Sequence, residues 1–243
     1  MEQLARIDGL ARLRLSSIEA TGVTPELLEV MRRHAVIGRH LHLPLQSGDD
    51  GVLAAMGRRY DTEVFAAAVS RARELLPELN LTTDVIVGFP GEDEAAFHNT
   101  RRFVEDNGFT RLHVFSYSPR PGTAAAASGD TVPPEEKKRR SAALRKLSSG
   151  LQKAHRQRKL GLASEILLES PLAPGVHGGY SSDYTRFEVS GGRPGLLVQV
   201  RGWGLSAAGV SGWVVVAFTW LSGLFARVGA GGFRLKTVGG SRI

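Results

Sequence analysis

The chain has 243 residues, 31 Lys plus Arg against 24 Asp plus Glu, and no cysteine. That length allows one or two domains with a real core. The missing thiols exclude disulfides, cysteine nucleophiles and iron–sulfur ligation by these residues. The formal charge of +7 is uneven. The last acid is Glu188, and residues 189–243 hold six basic residues and no acid, so the first 188 residues carry only +1. A global electrostatic case for nucleic acid is therefore weak. Met1–Arg14 scatters its charges and has no continuous apolar stretch, so no secretory leader is expected.

The first β-rich run is Leu13–Ile18. Thr24 can then cap a helix with Pro25 at its first position, reaching about His34. His40–Leu45 is the second run. Asp61 can cap the stretch 62–76, where Phe65, Val69, Ala72 and Leu76 share one stripe. The third run, Leu81–Phe89, leads to a helix favoured at its start by Glu92, Asp93 and Glu94 and stopped by Asn107-Gly108. Arg111–Tyr117 is the fourth. This alternation predicts an α/β fold with parallel strands. A closed (β/α) barrel needs roughly six to eight such units, so the sheet is expected to be incomplete here, with further strands upstream or supplied by a partner. A small open four-stranded sheet is the alternative.

Residues 119–134, with four prolines and a run of alanines, read as a loop. A long helix is predicted from Pro134 to about Leu160, carrying ten Lys and Arg residues. Such a run is ordinarily a solvated face, and a nucleic-acid contact is the second reading. Glu165–Glu169, Gly178-Gly179-Tyr180 and Tyr184–Val189 read as the start of a small β-barrel. From Ser190 the composition changes, with 13 glycines and all three tryptophans. Gly202–Ala226 is 25 residues without a charge, long enough to cross a bilayer, but five glycines, three serines and one threonine dilute it. A buried β hairpin and a non-native C-terminus stand beside the span, and no membrane partner is expected. The predicted division is 1–130, 131–162, 163–189 and 190–243.

The ends of parallel strands are where a site is expected. Here they read Ser16-Ser17-Ile18-Glu19, Pro44-Leu45-Gln46-Ser47-Gly48, Gly88-Phe89-Pro90-Gly91-Glu92 and Ser116-Tyr117-Ser118. Hydroxyls, a carboxamide and exposed backbone amides suit a ribose, an adenine edge or an amino-acid carboxylate. Ordinary loop chemistry is the plain alternative. Gly88-x-x-Gly91 is no phosphate loop, because it lacks a Lys-Ser/Thr pair and precedes acids. His40 and His42 alternate around Leu41 and can face one side. Two histidines without a third ligand nearby do not make a metal site, so no metal ligand is expected. Arg58-Arg59-Tyr60 can grip an anion or stack on a base.

Four segments together carry more than any alone: RLSSIE (14–19), RHLHLPLQSGDDGVLAAMGRRY (39–60), LTTDVIVGFPGEDEAAF (81–97) and RLHVFSYSPRPGTAA (111–125). Over residues 3–160 the chain resembles the radical S-adenosylmethionine (SAM) methylthiotransferases, most closely the type acting on threonylcarbamoyladenosine in tRNA. GGYSSDYTRFEV (178–189) resembles the start of that family's small RNA-binding TRAM barrel. The resemblance implies the last four β/α units of a partial radical SAM barrel of TIM type, a linking helix and a truncated TRAM-like unit.

The resemblance implies SAM contacts at Ser17 and Glu19, at Gln46 and Ser47, at Asp84, Val87, Gly88 and Phe89, and at Ser116 and Tyr117. Arg58, Arg59, Lys137, Lys138, Arg139 and Arg140 are the expected RNA contacts, with the tRNA anticodon loop as partner. In that family one 4Fe-4S cluster cleaves SAM, and a second delivers sulfur to C2 of the adenine beside the anticodon. The protein orients and encloses. This chain has no cluster ligands, so it is expected to be a cytoplasmic enzyme portion inactive by itself, completed in trans by an N-terminal domain or persisting as a non-catalytic tRNA- or SAM-binding remnant. Ala20 stands where the family often has proline. The acid-free tail departs further and suggests a frameshift or a misplaced gene end.

Overall fold

The computed structural model describes residues 1–127, 129, 131–221 and 224–229. The chain divides into two compact units, Met1–Lys153 and Ala154–Ile243.

In the first unit a short helix α1 (Glu2–Ala5) and a 3-10 turn at Ala20–Gly22 precede α2 (Pro25–Arg33), β1 (His40–His42), α3 (Asp50–Ala55) and α4 (Thr62–Leu75). Then follow β2 (Asn80–Val87), α5 (Glu94–Asp106), β3 (Arg111–Ser116), α6 (Ala124–Ala127) and α7 (Pro134–Gln157). Side-chain caps fix the helix starts. Thr24, Asp49, Asp61 and Asp93 accept from the N–H groups of Leu27, Val52, Val64 and Ala96 at 3.2, 3.1, 2.8 and 2.8 Å.

The three strands form a parallel sheet in chain order, β1-β2-β3. The expected strand at 13–18 does not form. It touches its neighbour only through parallel bridges at Leu13–Ile37 and Ser17–His42, with Ser16 and Ser17 exposed. Among the described residues nothing pairs with its outer side, so the ladder frays between those two points. Pro44 likewise cuts β1 short, because it has no N–H to give. Thr83 repairs the gap: its hydroxyl donates to Leu43 O at 2.6 Å and accepts from Leu45 N at 3.0 Å. Pairing resumes at Gln46, whose N–H reaches Asp84 O at 2.8 Å.

The register gives the sheet two unlike faces. Leu41, Leu81, Val85, Val87, Leu112 and Val114 pack with Leu28 and Met31 of α2, Phe65 and Val69 of α4, Phe97 of α5 and Leu144 of α7. Their alternating neighbours, His40, His42, Thr82, Asp84, Ile86, His113 and Phe115, share the other face. That face grows more open across the sheet, from a buried His40 to a Phe115 that is 52 % exposed.

The second unit holds β4 (Ala163–Ala173), β5 (Val176–Ser181), β6 (Arg186–Ser190), β7 (Leu197–Leu205), β8 (Val210–Leu221) and β9 (Leu224–Gly229). Antiparallel pairings β5–β4, β4–β7, β7–β8 and β5–β6, with a parallel β6–β8 pairing, close a ring of five strands, and β9 pairs outside it on β8. Ile166, Leu168, Phe187, Val189, Val198, Val200 and Val210 fill the interior.

This corrects the predicted divisions. No boundary falls at 189/190, because Val198 and Val200 supply core to the same barrel as β4 and β6. The edges at 130/131 and 162/163 give way to one inside α7. The run 202–226 lies on β7, β8 and β9, with residues 222 and 223 outside the described residues. Among the described residues no helix is long and apolar enough to cross a membrane. The frameshift reading of the tail falls partly on residues 230–243, which also lie outside the described residues.

Two glycines give a test of the barrel's packing. A Cβ on Gly179 would sit 2.4 Å from Leu167 O and 2.8 Å from Ile166 Cγ2, whereas one on Gly150 of α7 would meet nothing within 4 Å. Gly179→Val is expected to cost about 3 kcal/mol through overpacking against backbone that cannot give way. Gly150→Ala is expected to add up to about 1 kcal/mol of stability. Urea unfolding of both variants checks the contrast.

Candidate functional site

The C-terminal ends of the parallel strands converge through β1, β2 and β3. Gln46 ends the first with φ 69°, in the left-handed region that glycine favours. A non-glycine residue held there is strained, and strain of this kind gathers at ligand sites. Gly88 ends β2 with φ 75°. Tyr117 follows β3, its N–H reaching Val87 O at 2.8 Å. Phe89 and Tyr117 pack edge to face at 5.2 Å. The Tyr117 hydroxyl is buried and has no hydrogen-bond partner among the described residues. Ser17, Glu19 and Ser116 are exposed.

Two expected contacts are turned elsewhere. Ser47 is fully buried, with its hydroxyl 3.2 Å from Thr100 Oγ1 and accepting from Asp49 N–H at 3.2 Å, so it locks the loop onto α5. Val87 points into the helix-facing core. Its side chain shares the parity of Val85, which is set against Ile86 on the open face.

The loop after β2 is braced from behind. Glu92 accepts from Gly88 N–H and from Arg140 Nη1 at 2.8 Å, and the two side chains are 0 % and 5 % exposed. Burial pushes the Glu92 carboxyl up, opposed by the Gly88 N–H and the Arg140 guanidinium. Burial also works against the charge of Arg140, but Glu92 and Glu136 outweigh it and raise its pKa. Lys137 lays its stem where a Gly88 side chain would be, 2.3 Å from that Cβ position, and donates to Tyr117 O at 3.3 Å.

This overturns the reading of Lys137 and Arg140 as RNA contacts. With Ser141, Leu144 and Ser148 they form the buried stripe of α7. That stripe is legible as helical spacing, although a charge run hides it. Arg139 is exposed but tied to Glu94 and Glu136, and its hydrogen bonds bring Glu136 down to about 2. Lys138 and Arg59 are exposed, and Arg58 is half-buried with an unpartnered Nε. Tyr60 donates to Pro44 O at 2.9 Å, which fastens the Arg58-Arg59 segment beside the end of β1.

Asp84 carries the Gln46 N–H on its backbone carbonyl but lies deeper on its own strand. It lies about four residues, or roughly 13 Å, back along β2 from Gly88, on the open face beside His42 and His113. Its Oδ1 is 3.1 Å from His42 Nε2 and 3.3 Å from His113 Nδ1. Burial lowers the His113 pKa, and Arg111 adds to the effect. Sequence reasoning named His42 and Asp84 separately and missed His113. The signal was there: each lies on the same parity of neighbouring strands, but only the register brings them together.

Residues 2–104 match the Radical SAM superfamily. The threonylcarbamoyladenosine tRNA methylthiotransferase MtaB of Thermotoga maritima is 38 % identical over 210 residues, covering 86 % of this chain and 48 % of that protein. The MtaB of Bacillus subtilis is 39 % identical over 202 residues, 81 % of this chain and 45 % of its own length. The tRNA-2-methylthio-N(6)-dimethylallyladenosine synthase of Cereibacter sphaeroides is 38 % identical over 205 residues, 83 % of this chain and 47 % of its length. The chain spans about half the length of the curated relatives it matches.

Proposed function

The chain belongs to the radical SAM methylthiotransferase family, and on that premise we propose that it is the SAM- and tRNA-binding portion of a cytoplasmic enzyme that adds a methylthio group to C2 of N6-threonylcarbamoyladenosine beside the anticodon. The observation that carries this reading is the 38 % identity to a threonylcarbamoyladenosine tRNA methylthiotransferase across 86 % of the chain. The sequential parallel sheet, with a polar face left open by the helices, supports a part of a barrel whose lumen is that face.

The family uses SAM and 4Fe-4S clusters. The clusters find no fit here, because no cysteine is present to ligate them. SAM fits better: the left-handed Gln46, the Gly88 turn and the orphaned Tyr117 hydroxyl gather at adjacent strand ends. Gln46 offers a carboxamide to the amino-acid end, and Ser17, Glu19 and Ser116 offer polar groups at the rim. Phe89 and Tyr117 supply an aromatic wall for the adenine. When bound, SAM would supply the methyl group and, given an electron from a cluster ligated outside these residues, the radical. The chain's own part is to hold the sulfonium still, keep water from it and seat the tRNA base. Arg58, Arg59 and Lys138 are the cations placed to meet phosphate, and Arg139 joins them where its carboxylates release it.

Nucleoside mass spectrometry of tRNA from a host lacking the modification tests this reading. The chain alone is expected to leave threonylcarbamoyladenosine unmodified. A chimera in which the upstream half of the T. maritima relative precedes residue 1 is expected to yield the 2-methylthio product. A soluble, cluster-loaded chimera without product overturns the assignment. The lack of cysteine favours a second reading, a remnant that binds without catalysis. SAM retained in equilibrium dialysis by the chain, with a chimera that is inactive, would select it.

A further inference from the structure

The open face of the sheet carries a cluster of which the methylthiotransferase reading names only Asp84. His42 on β1, Asp84 on β2 and His113 on β3 lie side by side, and one ligand atom from each falls within 4.8 Å of the others. Among the described residues this is the one group of three His, Cys, Asp or Glu side chains so arranged.

Asp84 Oδ1 is buried and faces two imidazole nitrogens at 3.1 and 3.3 Å without a hydrogen bond of good geometry to either. Lone pairs facing a carboxylate oxygen at that range repel unless a cation lies between them. The two spacings suit a metal. Bonds of about 2.0–2.1 Å put neighbouring ligand atoms about 3.4 Å apart in a tetrahedron and about 2.9 Å apart in an octahedron.

The surroundings allow the required tautomer. Thr82 Oγ1 is 2.9 Å from His42 Nδ1 and 2.9 Å from His40 Nε2. A hydroxyl has one proton, so it donates to one ring and accepts from the other. When His42 Nδ1–H donates to Thr82 and Thr82 donates to His40, His42 Nε2 is left with its lone pair toward Asp84. A ligating histidine held through its other nitrogen is the usual outer-shell arrangement of metal sites. The two ring centroids sit 5.4 Å apart, with their planes 30° from parallel.

We propose that His42, Asp84 and His113 bind one divalent transition-metal ion on the polar face of the sheet, with at least one coordination position open. The cysteine-free donor set selects a borderline ion such as Zn2+, Co2+ or Fe2+ over a purely oxygen-seeking one. The site lies about four residues, or roughly 13 Å, deeper than Gly88 on β2 and Tyr117 after β3, and the Gln46 N–H reaches the Asp84 carbonyl at 2.8 Å. It does not rest on the family's clusters or on SAM.

The full-length chain is freed of metal, then titrated with Zn2+ or Co2+ alone. The expected result is one equivalent per chain, with Co2+ giving visible d–d absorption and Zn2+-edge X-ray absorption reporting two imidazoles and a carboxylate oxygen. Asp84→Asn and His113→Gln are expected to weaken binding at least tenfold. Thr82→Val, which frees the His42 ring, is expected to weaken it about 10–100-fold. His98→Gln, at an exposed ring on α5, is expected to leave it unchanged. Less than a fifth of an equivalent bound by the wild-type chain, or wild-type affinity in Asp84→Asn and His113→Gln, overturns the proposal. The absorption spectrum of the wild-type chain decides the matter if a variant does not fold. None of these readouts involves tRNA or SAM, so the metal site and the methylthiotransferase reading fail separately.

Discussion

Arg140→Met is expected to cost the first unit about 3–5 kcal/mol, because it leaves the buried Glu92 carboxylate without its partner. The guanidinium holds Glu92 at 2.8 Å and also donates to the Glu92 carbonyl at 2.8 Å, so its loss loosens the loop after β2 as well as exposing a charge imbalance. Methionine keeps most of the apolar stem packed, which restricts the effect to the head group. The double variant Arg140→Met with Glu92→Gln is expected to regain more than half of the loss, since the remaining amide still reaches Gly88 N–H and carries no charge.

The same pair predicts a pH dependence. Burial raises the Glu92 pKa in the folded chain. A raised carboxylate contributes stability that is present below its unfolded value and is lost as pH rises through the folded one. In Arg140→Met that rise is unopposed by the guanidinium. The destabilisation is therefore expected to be small near pH 4 and to grow toward pH 7. Urea unfolding followed by far-UV circular dichroism reads this unit, which holds every helix except the last turn of α7. A loss below about 1 kcal/mol at pH 7, or one equal at both pH values, would show that Glu92 is not a buried charge.

What the sequence discloses is local chemistry. Thr24, Asp61 and Asp93 announce their helices because a cap is one residue accepting from another three positions on. The runs at 40–45, 81–89 and 111–117 are legible for the same reason: parallel strands buried on a face are short and apolar at alternate positions. Failures begin where the answer depends on a distant partner. Leu13–Ile18 has strand composition, but a ladder needs a neighbour, and only two bridges are met. Arg140 looks like a solvated charge until Glu92 arrives from 48 residues upstream to receive it, and Lys137 until the Tyr117 carbonyl arrives from 20. The alternation Leu197, Val198, Gln199, Val200, Arg201 is a strand pattern in plain sight. The missing acids drew attention away from it, although solvent-facing positions of a barrel need polarity and not negative charge. At the site, side-chain parity is not legible in the strand ends, because Ser47 and Val87 face the helices while the neighbouring Gln46 and Tyr117 do not.

Asp183→Ala in the second unit is expected to be of the same size, about 3 kcal/mol. Asp183 lies in the turn between β5 and β6, with its carboxylate on Lys159 Nζ at 2.5 Å, near His155 Nε2 at 3.4 Å and on the Ser181 hydroxyl. It also takes Thr185 N–H at 3.4 Å across a turn in which Tyr184 is held at φ 64°. Burial alone would raise this carboxyl, but the His155 hydrogen bond and the Lys159 charge outweigh burial and hold it well below the usual carboxylate range. A depressed carboxyl contributes stability that is fully present above its unfolded pKa, about 3.9 for aspartate, and that is lost as pH falls below it. The wild-type barrel is therefore expected to weaken steeply from about pH 4 downward, and Asp183→Ala to flatten that dependence while lowering stability at pH 7. Tryptophan fluorescence isolates the effect, because all three tryptophans, Trp203, Trp213 and Trp220, belong to this unit. The helical signal of the first unit is expected to keep its own midpoint in the variant. A fluorescence midpoint that stays put at pH 7, or an acid limb as steep in Asp183→Ala as in the wild type, would remove Asp183 as the anchor that holds the turn, the end of α7 and the barrel strands together.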